Sequence, residues 1–318
     1  MAALDRENPV AVGVNGWGFP EARAALGWCR GRGRIAVLMS DSQETDAPRH
    51  PLKELVKRWI VAQCDSALVA GRSHAAYLQK LGMPKERIAL GYDVVDNDHF
   101  ARGAEQARTD VGARGRLGLP ERYFLASARF VEKKNLAGLL HAYAHYRHLS
   151  GGEAWDLVLL GDGPLRRQLG TLQAELGVAA SVRFAGFKQY PELPAYYGLA
   201  SAFVLASTSE PWGLVVNEAM AAGLPVLVSE RCGAAELVRD GENGWRFDPR
   251  DPEHLGALML RLTRLGGELD AFGRASRRIV ADYGPDRFAR GFLEAVELGR
   301  EHSRRSSPSR VASWLLGA

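Results

Sequence analysis

Two glutamates stand eight positions apart in the apolar stretch SEPWGLVVNEAMAAGLPV, residues 209 to 226. Glu210 comes directly before a Pro-Trp-Gly turn, and Glu218 lies about one turn into the helix expected after it. Because a carboxylate in apolar surroundings rarely lacks a partner, the pair indicates that a polar group is held there. Ionised carboxylates accept hydrogen bonds, so the hydroxyls of a sugar or a ribose are suitable partners. The spacing is equally compatible with a helix-terminus acid and an unrelated surface acid.

Two cations in the segment RFVEKKN, Arg129 and Lys134, are suited to neutralise a diphosphate. Two basic residues alone more often mark a solvated loop. These two, however, follow the strand-like run YFLASA, and ligands of open α/β sheets bind at the carboxyl ends of the strands. The helix expected to begin at Gly213 adds the unpaired amides of Leu214 and Val215, which can receive a phosphate. The sequence therefore predicts an anion site built from cations and main-chain amides.

Short apolar runs alternate with helix-length amphipathic segments, which predicts βα units, parallel sheets and an α/β fold. The runs form two series: VAVGV, RIAVLM, SALVA and RIALGY between residues 10 and 92, then YFLASA, DLVLLG, VRFAG, AFVLAS, PVLVS and GWRF between residues 123 and 247. The polar, Gly-rich segment 101 to 122 is interpreted as a connection. We expect two doubly wound domains at residues 1 to 105 and 118 to 284, with a helix at 285 to 300 packing back on the first.

With 46% hydrophobic and 25% charged residues among 318, the chain has the composition of a soluble globular protein. No apolar run approaches the roughly 20 residues of a membrane-spanning helix, and the first residues do not resemble a secretory signal, so a cytoplasmic location is expected. Three dispersed cysteines argue against a disulfide framework and a structural zinc site. The polar tail from residue 301 is expected to be loosely ordered.

The net charge of +4 suits anionic small molecules, a membrane surface or nucleic acid without choosing among them. The segment HPLKELVKRWIVAQ, residues 50 to 63, is basic and amphipathic. It is compatible with peripheral contact at the inner face of the plasma membrane, or with a packed helix that has a solvated basic face.

Five motifs follow one another in the second series of strands. They are RFVEKKN at 129 to 135, GDGP at 161 to 164, VRFAG at 182 to 186, the E-x7-E stretch from Glu210 to Glu218 with EAMAAGLPV, and CGAAELVRDGENGWRF at 232 to 247. In this order they resemble the retaining glycosyltransferases of family 4. Any one motif alone would say little, whereas the ordered set is specific. The resemblance implies the GT-B architecture, in which two Rossmann-like domains face each other.

The resemblance also implies a reaction. A hexose-type sugar passes from a nucleotide sugar to the hydroxyl of a sugar or lipid-linked acceptor, in the synthesis of a surface polysaccharide or glycolipid. The nucleotide is of UDP, GDP or ADP type, and no residue names the base. Neither a cofactor nor a metal ion is implied, because cations and helix amides neutralise the diphosphate. Retention is implied to proceed by front-face attack, with a donor phosphate oxygen assisting deprotonation of the acceptor.

Carried over residue by residue, the resemblance implies two groups of site residues. The catalytic group acts on the diphosphate and the donor sugar: Arg129 and Lys134 hold the diphosphate, and Glu210 binds sugar hydroxyls. The donor-binding group holds the rest of the nucleotide sugar: Gly213, Leu214 and Val215 contact phosphate, Glu218 binds the ribose, and Gly186, Phe187 and Lys188 lie along the nucleobase.

The first series of strands departs from the family pattern in two ways. Its segments match only the later strands of the acceptor-binding domain, so we expect a truncated first domain that lacks the earliest βα units and their glycine-rich loop. Where many relatives carry a histidine next to the acceptor, this sequence has Asp41, which could accept a hydroxyl proton or cap the following turn. His74, at a helix start after a strand, is a second acceptor-side candidate, with a surface or core histidine as its alternative.

A truncated acceptor domain leaves a second function open, that of a non-catalytic nucleotide-sugar-binding protein or an inactive fragment. A nicotinamide dehydrogenase is disfavoured because no G-x-G-x-x-G follows the first strand of either domain. A GT-B epimerase would explain the set of motifs less well. Nucleic acid is not expected as a partner.

Overall fold

The computed structural model describes residues 2 to 302. The tail that the sequence predicts to be loosely ordered lies outside the described residues from position 303 onward. The described chain divides into two compact units, one formed by residues 2 to 94 and 285 to 302, the other by Val95–Gly284. Among the described residues, no helix combines the length and the apolar character that crossing a bilayer would require.

The first unit is built on a four-stranded parallel sheet with the order β1-β2-β3-β4. Its strands are β1 (Ala11–Asn15), β2 (Ile35–Ser40), β3 (Ser66–Val69) and β4 (Ile88–Leu90). Its helices are α1 (Ala2–Glu7), α2 (Pro20–Arg32), α3 (Pro51–Gln63) and α4 (Arg72–Lys80), together with a 3₁₀ turn at Lys85–Arg87 and the last helix of the chain, Pro285–His302.

The last helix closes one face of this sheet. Gly291 lies so near the strand end that a Cβ there would come within 2.5 Å of the Leu90 carbonyl oxygen. The hydroxyl of Ser66 donates a hydrogen bond to the carbonyl of Ala295 at 2.5 Å. Ala295 is fully buried against Val37 and neighbouring strand residues. Small residues therefore let this helix pack against the strands.

The second unit is built on a six-stranded parallel sheet with the order β10-β9-β8-β5-β6-β7. Its strands are β5 (Tyr123–Ser127), β6 (Asp156–Leu160), β7 (Val182–Gly186), β8 (Ala202–Leu205), β9 (Val226–Ser229) and β10 (Gly244–Phe247). The chain fills one half of the sheet from β5 to β7 and then crosses back to begin the other half at β8. The boundary between β5 and β8 is therefore the topological switch point, where such sheets bind ligands beyond the carboxyl ends of the strands.

Helices cover both faces of the six-stranded sheet. They are α5 (Asn97–Thr109), α6 (Ala113–Arg116), α7 (Leu136–Ser150), α8 (Arg166–Glu175), α9 (Leu193–Leu199), α10 (Leu214–Ala221), α11 (Pro252–Thr263) and α12 (Leu269–Val280), which makes the last helix α13. Short 3₁₀ turns occupy Glu132–Lys134, Gly151–Glu153, Tyr190–Glu192, Gly233–Leu237 and Gly266–Glu268. The two parallel sheets with their covering helices confirm the predicted α/β class.

The segment between the predicted domains differs from the expected polar connection. Residues 97 to 109 form α5, and the second unit begins at Val95. The helix packs tightly on α9 because of two glycines: a Cβ at Gly103 would lie 2.5 Å from Pro194, and one at Gly198 would lie 2.5 Å from the Ala104 carbonyl oxygen. Composition alone indicated a linker, and this close packing is what assigns the segment to the second unit.

Candidate functional site

A cavity of about 650 Å³ lies at the switch point of the second unit. It is formed by the loops that follow β5, β6 and β7 and by the first turn of α10. Its lining residues are Ser127, Ala128, Arg129, Lys134, Leu160, Gly161, Asp162, Gly163, Phe187, Lys188, Leu193, Val215 and Glu218. The position and size are those of a small-molecule site in a doubly wound fold.

The cationic wall of the cavity comes from the loop between β5 and α7. Arg129 is exposed and lines the cavity, and Lys134 lies at the end of the loop with its side chain 16% exposed. Asn135 holds the loop, because its amide donates to the carbonyl oxygens of Ala206 at 3.1 Å and Pro249 at 2.9 Å. Two cations are thus held where an anionic ligand would enter.

Glu210 forms an ion pair with Lys134 behind the cavity wall. The carboxylate is 10% exposed, and the Ser207 hydroxyl donates to the same oxygen at 3.2 Å. The backbone of Glu210 is held by the amide of Gly233, which donates to its carbonyl at 3.1 Å. Glu210 is not among the residues that line the cavity, so its charge acts there through the position of Lys134.

Glu218 faces the cavity from the first turns of α10 and accepts a hydrogen bond from the Tyr197 hydroxyl at 2.6 Å. Burial raises the pKa of Glu218, while the Tyr197 hydrogen bond and the charge of His99 act in the opposite direction. The acid is therefore a pre-oriented hydrogen-bond acceptor with a protonation state that depends on Tyr197. Sequence reasoning missed Tyr197, because nothing in PELPAYYGLA distinguishes it from an ordinary core aromatic residue.

The start of α10 supplies main-chain donors. Gly213 precedes the helix with a φ of 98°, a conformation that favours glycine, and a Cβ there would lie 2.8 Å from the Cys232 sulfur. Leu214 and Val215 are the first two helical residues, so their amides have no partner within the helix. Val215 lines the cavity, which places this end of the helix dipole at the site.

The loops after β6 and β7 form the remaining wall. Gly161 has a φ of 120°, and a Cβ there would lie 2.0 Å from the Ala128 carbonyl oxygen. The Gly161 amide donates to the Gly186 carbonyl at 2.9 Å, so the loops after β5, β6 and β7 hold one another in place. Phe187 is 68% exposed at the cavity and Lys188 lies beside it. An exposed aromatic ring of this kind is available to stack on a planar ligand.

The two acceptor-side candidates lie in the first unit. Asp41 is exposed in the loop after β2, and within residues 2 to 302 its carboxylate accepts no hydrogen bond, so it does not cap a turn. Burial, and next the charge of Asp41, raise the pKa of Asp93 to about 7. Asp93 follows β4, where the Tyr92 hydroxyl donates to Asn15 at 3.1 Å. His74 is fully buried in α4 with its Nδ1 3.2 Å from the Ser73 hydroxyl.

The structure thus gathers most of the predicted donor residues. Six of them line the one cavity: Arg129, Lys134, Phe187, Lys188, Val215 and Glu218. Gly213 and Leu214 belong to the same helix start, Gly186 is tied to the wall by its carbonyl, and Glu210 lies behind Lys134. The sequence missed Asn135, Ser207, Tyr197 and Asp93. Of these, only Asn135 carried a signal, since an Asn before an apolar helix favours the left-handed conformation it adopts, with a φ of 51°.

The fold and the sequence both have relatives of known class. The structure of Anabaena HepE in complex with UDP superposes with a TM-score of 0.78 over 93% of this chain and 80% of that one, at 16% identity. This similarity confirms the GT-B type of fold.

Two curated relatives show the sequence similarity. The amylovoran biosynthesis glycosyltransferase AmsK of Erwinia amylovora is 31% identical over 70% of this chain and 53% of its own length. The D-inositol 3-phosphate glycosyltransferase of Salinispora arenicola is 30% identical over 78% of this chain and 58% of its own length. The chain spans about half the length of the curated relatives it matches.

The model of the family described as glycosyl transferases group 1 matches residues 113 to 279. This range contains the whole cavity, from the cations after β5 to the first turn of α10. The chain therefore belongs to the group 1 glycosyl transferases.

Proposed function

We propose that this protein is a nucleotide-sugar-dependent glycosyltransferase that moves a hexose-type sugar to an acceptor hydroxyl. The observation that carries the proposal is the cavity at the switch point, where two cations, a helix amino terminus and a half-buried carboxylate line one space. The cations and the helix amino terminus suit a diphosphate, and the carboxylate suits the hydroxyls of a ribose. The cavity volume of about 650 Å³ is large enough for a nucleotide sugar.

In this proposal, Arg129 and Lys134 neutralise the diphosphate as negative charge builds up on the departing nucleotide. The amides of Leu214 and Val215 add to this neutralisation, so the reaction needs no divalent ion. Glu218 accepts hydrogen bonds from the ribose, and Phe187 lies along the base.

Glu210 acts in this proposal from behind the cavity wall, where its ion pair positions Lys134. The bond from the anomeric carbon to the phosphate oxygen breaks, and the acceptor oxygen forms the new bond on the same face. The acceptor proton passes to the departing phosphate oxygen, so anomeric configuration is retained.

The relatives support an acceptor in surface polysaccharide or glycolipid synthesis. One is named for amylovoran biosynthesis, another for lipopolysaccharide core biosynthesis, and a third for mannosyl transfer to a phosphatidylinositol monomannoside. We accordingly propose that the protein works in the cytoplasm, in peripheral contact with the inner face of the plasma membrane through the basic face of α3. We propose that Asp41 contacts the acceptor hydroxyl. The buried His74 is proposed to act on the acceptor side through packing in the core of the first unit.

The test is calorimetric titration of the chain with UDP, GDP and ADP, in the presence of EDTA. One of the three should bind in the micromolar range, and Arg129→Ala should weaken that binding at least tenfold because a phosphate contact is lost. Lys133→Ala is the matched control, since this exposed lysine in the same loop does not line the cavity. Binding by none of the three, or equal binding by the Arg129→Ala variant, would overturn the assignment.

Transfer itself is measured with the matching nucleotide sugars and an acceptor mixture, with the anomeric configuration of the product read by NMR. Transfer that retains configuration and persists in EDTA supports the mechanism. Inversion, or dependence on a divalent ion, contradicts that part of the proposal while leaving the nucleotide site in place.

A further inference from the structure

A second cavity, of about 700 Å³, lies at the opposite edge of the six-stranded sheet. Its walls include the residues directly before β5, β8 and β9, together with parts of α5 and α12. We call it the amino-edge groove and define it by Arg108, Arg122, Arg274, Arg277 and Asp270. The cavity lined by Arg129, Lys134 and Glu218, which we call the donor cavity, lies beyond the carboxyl ends of the same strands. The length of a strand, roughly 13 Å for four residues, therefore separates the groove from the donor cavity.

The groove is rich in arginine. Five arginines line it, against the three carboxylates Glu105, Glu121 and Asp270. Within the described part of the chain, the one ion pair among these groups joins Arg108 to Glu105 at 3.6 Å. The guanidinium of Arg274 is exposed and forms neither a hydrogen bond nor an ion pair with any described residue. The positive charge of the groove is therefore only partly balanced by the protein.

Two of the arginines share one hydrogen-bond acceptor. Arg108 and Arg277 both donate to the carbonyl oxygen of Ala222, at 2.7 and 3.3 Å, which brings two like charges to one acceptor. Burial, and next the charge of Arg277, lower the pKa of Arg108. Ala222 ends α10, and one cation at a helix carboxyl terminus is stabilising. A second cation at the same carbonyl adds repulsion that an anion would relieve.

We propose that the amino-edge groove is a binding site for a multiply charged phosphate group, separate from the donor cavity. Arg274 and Arg277 lie one helical turn apart on α12, so both side chains project from the same face toward the groove. Guanidinium groups bind phosphate oxygens through paired N–H donors, and Arg277 retains donors beyond the one that it gives to Ala222. Arg122, before β5, adds a third cation to the lining of the groove.

The site is tested by calorimetric titration of the whole chain with inorganic pyrophosphate at low ionic strength. Pyrophosphate should bind at two places, the donor cavity and the groove. Arg274→Gln should remove or weaken the groove event by roughly tenfold and leave the other intact. Arg129→Ala should do the reverse. Because the exposed Arg274 side chain forms no hydrogen bond or ion pair with a described residue, its replacement should not disturb folding.

The matched control is Arg278→Gln, which removes the same charge from the next position of α12. Arg278 pairs with Glu242 outside the groove, so this variant should bind pyrophosphate as the wild type does. The proposal is overturned if Arg129→Ala abolishes all pyrophosphate binding, if Arg274→Gln binds like the wild type, or if Arg278→Gln loses as much affinity as Arg274→Gln.

The phosphate group could be carried by a soluble molecule or by a lipid headgroup. Sedimentation with vesicles that contain phosphatidic acid, whose headgroup is a phosphate monoester, separates the two sources. Vesicle binding that Arg274→Gln loses and Arg278→Gln keeps supports a headgroup in the groove. Pyrophosphate binding in the groove without such vesicle binding supports a soluble phosphate compound.

Discussion

The carboxyl edges of the two parallel sheets place opposite kinds of group on similar scaffolds. At the edge of the second unit, Lys134 neutralises Glu210, and Arg129 stands exposed beside the start of α10. At the same edge of the first unit, Asp93 lies near the carboxylate of Asp41, and its own pKa is raised to about 7. One edge is prepared to receive negative charge, and the other holds a carboxyl group whose raised pKa lets it gain or lose a proton near neutral pH.

Under the proposed function, this difference matches the two halves of a glycosyl transfer. A diphosphate donor calls for cations and amides that are already in place, since their reorganisation would cost part of the rate. A hydroxyl acceptor is neutral and calls for hydrogen-bonding groups that can take or share a proton. Both sheets are parallel although their strand orders differ, and the kind of group at their carboxyl ends is set by the few residues that follow each strand.

The largest effect is expected from breaking the ion pair of the cationic edge. Lys134→Met should lower kcat/KM for transfer by about a thousandfold, because a diphosphate contact and the partner of Glu210 disappear together. It should also destabilise the fold by about 3 kcal/mol, since the Glu210 carboxylate stays buried beside an apolar side chain. Steady-state kinetics and urea unfolding measure the two consequences.

A double variant separates these consequences. Lys134→Met with Glu210→Gln removes the buried charge, so it should regain most of the lost stability while transfer stays low. Lys133→Met, at the exposed neighbouring position, should change neither quantity. If the double variant recovered transfer as well, Lys134 would be a structural residue and the edge would not be a diphosphate site.

The sequence predicts the two sheets and the cations at the carboxyl ends of the second sheet, but not the pairing of those cations. The runs of β-branched residues predicted both sheets, because buried parallel strands leave a local pattern. The rule that ligands sit beyond strand ends then placed Arg129 and Lys134 at one site, and the family resemblance added Phe187. The pairing of Lys134 with Glu210 could not be predicted, because it joins residues 76 positions apart and depends on how two loops pack.

The acidic edge, formed by Asp41 and Asp93 at the carboxyl ends of the first sheet, also depends on contacts between residues distant in sequence. Asp93 follows the short strand β4, and its altered pKa arises from burial and from Asp41, more than 50 positions earlier, which no local pattern predicts. The polar, Gly-rich sequence of residues 101 to 122 indicates a connection. Gly103 in this segment and Gly198 in α9 instead permit close packing of α5 on α9, a contact that no local pattern reveals.

The second prediction concerns the pH dependence of the acidic edge. Because folding raises the pKa of Asp93 from 3.8 to about 7, the neutral carboxyl stabilises the fold at acidic pH. That contribution is complete below about pH 4 and disappears as the pH rises through 7. Relative to Asp93→Asn, the wild type should therefore lose on the order of 4 kcal/mol of unfolding free energy between pH 4 and pH 8.

Urea unfolding at several pH values between 4 and 8 measures this difference. Asp41→Asn should reduce the pH-dependent loss without abolishing it, since burial acts on Asp93 more strongly than the charge of Asp41 does. A constant difference between the wild type and Asp93→Asn across this range would show that Asp93 ionises normally, and the contrast between the two edges would fail.

The third prediction compares one glycine from each edge. Gly161 follows β6 with a φ of 120°, and Gly16 follows β1 with a φ of 65°. A Cβ at Gly161 would lie 2.0 Å from the Ala128 carbonyl oxygen, whereas a Cβ at Gly16 meets no described atom within 4 Å. Gly161→Ala should therefore cost about 2 kcal/mol or more, and Gly16→Ala about 1 kcal/mol from backbone strain alone.

Thermal unfolding of the two variants gives the comparison, and nucleotide titration gives its functional side. Gly161→Ala should also weaken nucleotide binding, because the loops that line the cavity must shift to accommodate the new methyl group. Equal destabilisation by the two substitutions would mean that the walls of the cationic edge are no more closely packed than the acidic edge.

The smallest effect is expected from the hydrogen bond between Tyr197 and Glu218. This bond lowers the pKa of Glu218 against the raising effect of burial, so Tyr197→Phe should raise that pKa further. A ribose hydroxyl prefers the ionised acceptor, and nucleotide affinity should therefore begin to fall at a higher pH in the variant. At the acidic end of the pH range, the variant should bind its nucleotide roughly fivefold more weakly than the wild type. Tyr196→Phe is the matched control, because the Tyr196 hydroxyl makes no hydrogen bond to Glu218.

Titrations from pH 5.5 to pH 8 distinguish the outcomes. Identical pH profiles for the wild type and Tyr197→Phe would show that Glu218 does not bind the nucleotide in its ionised form.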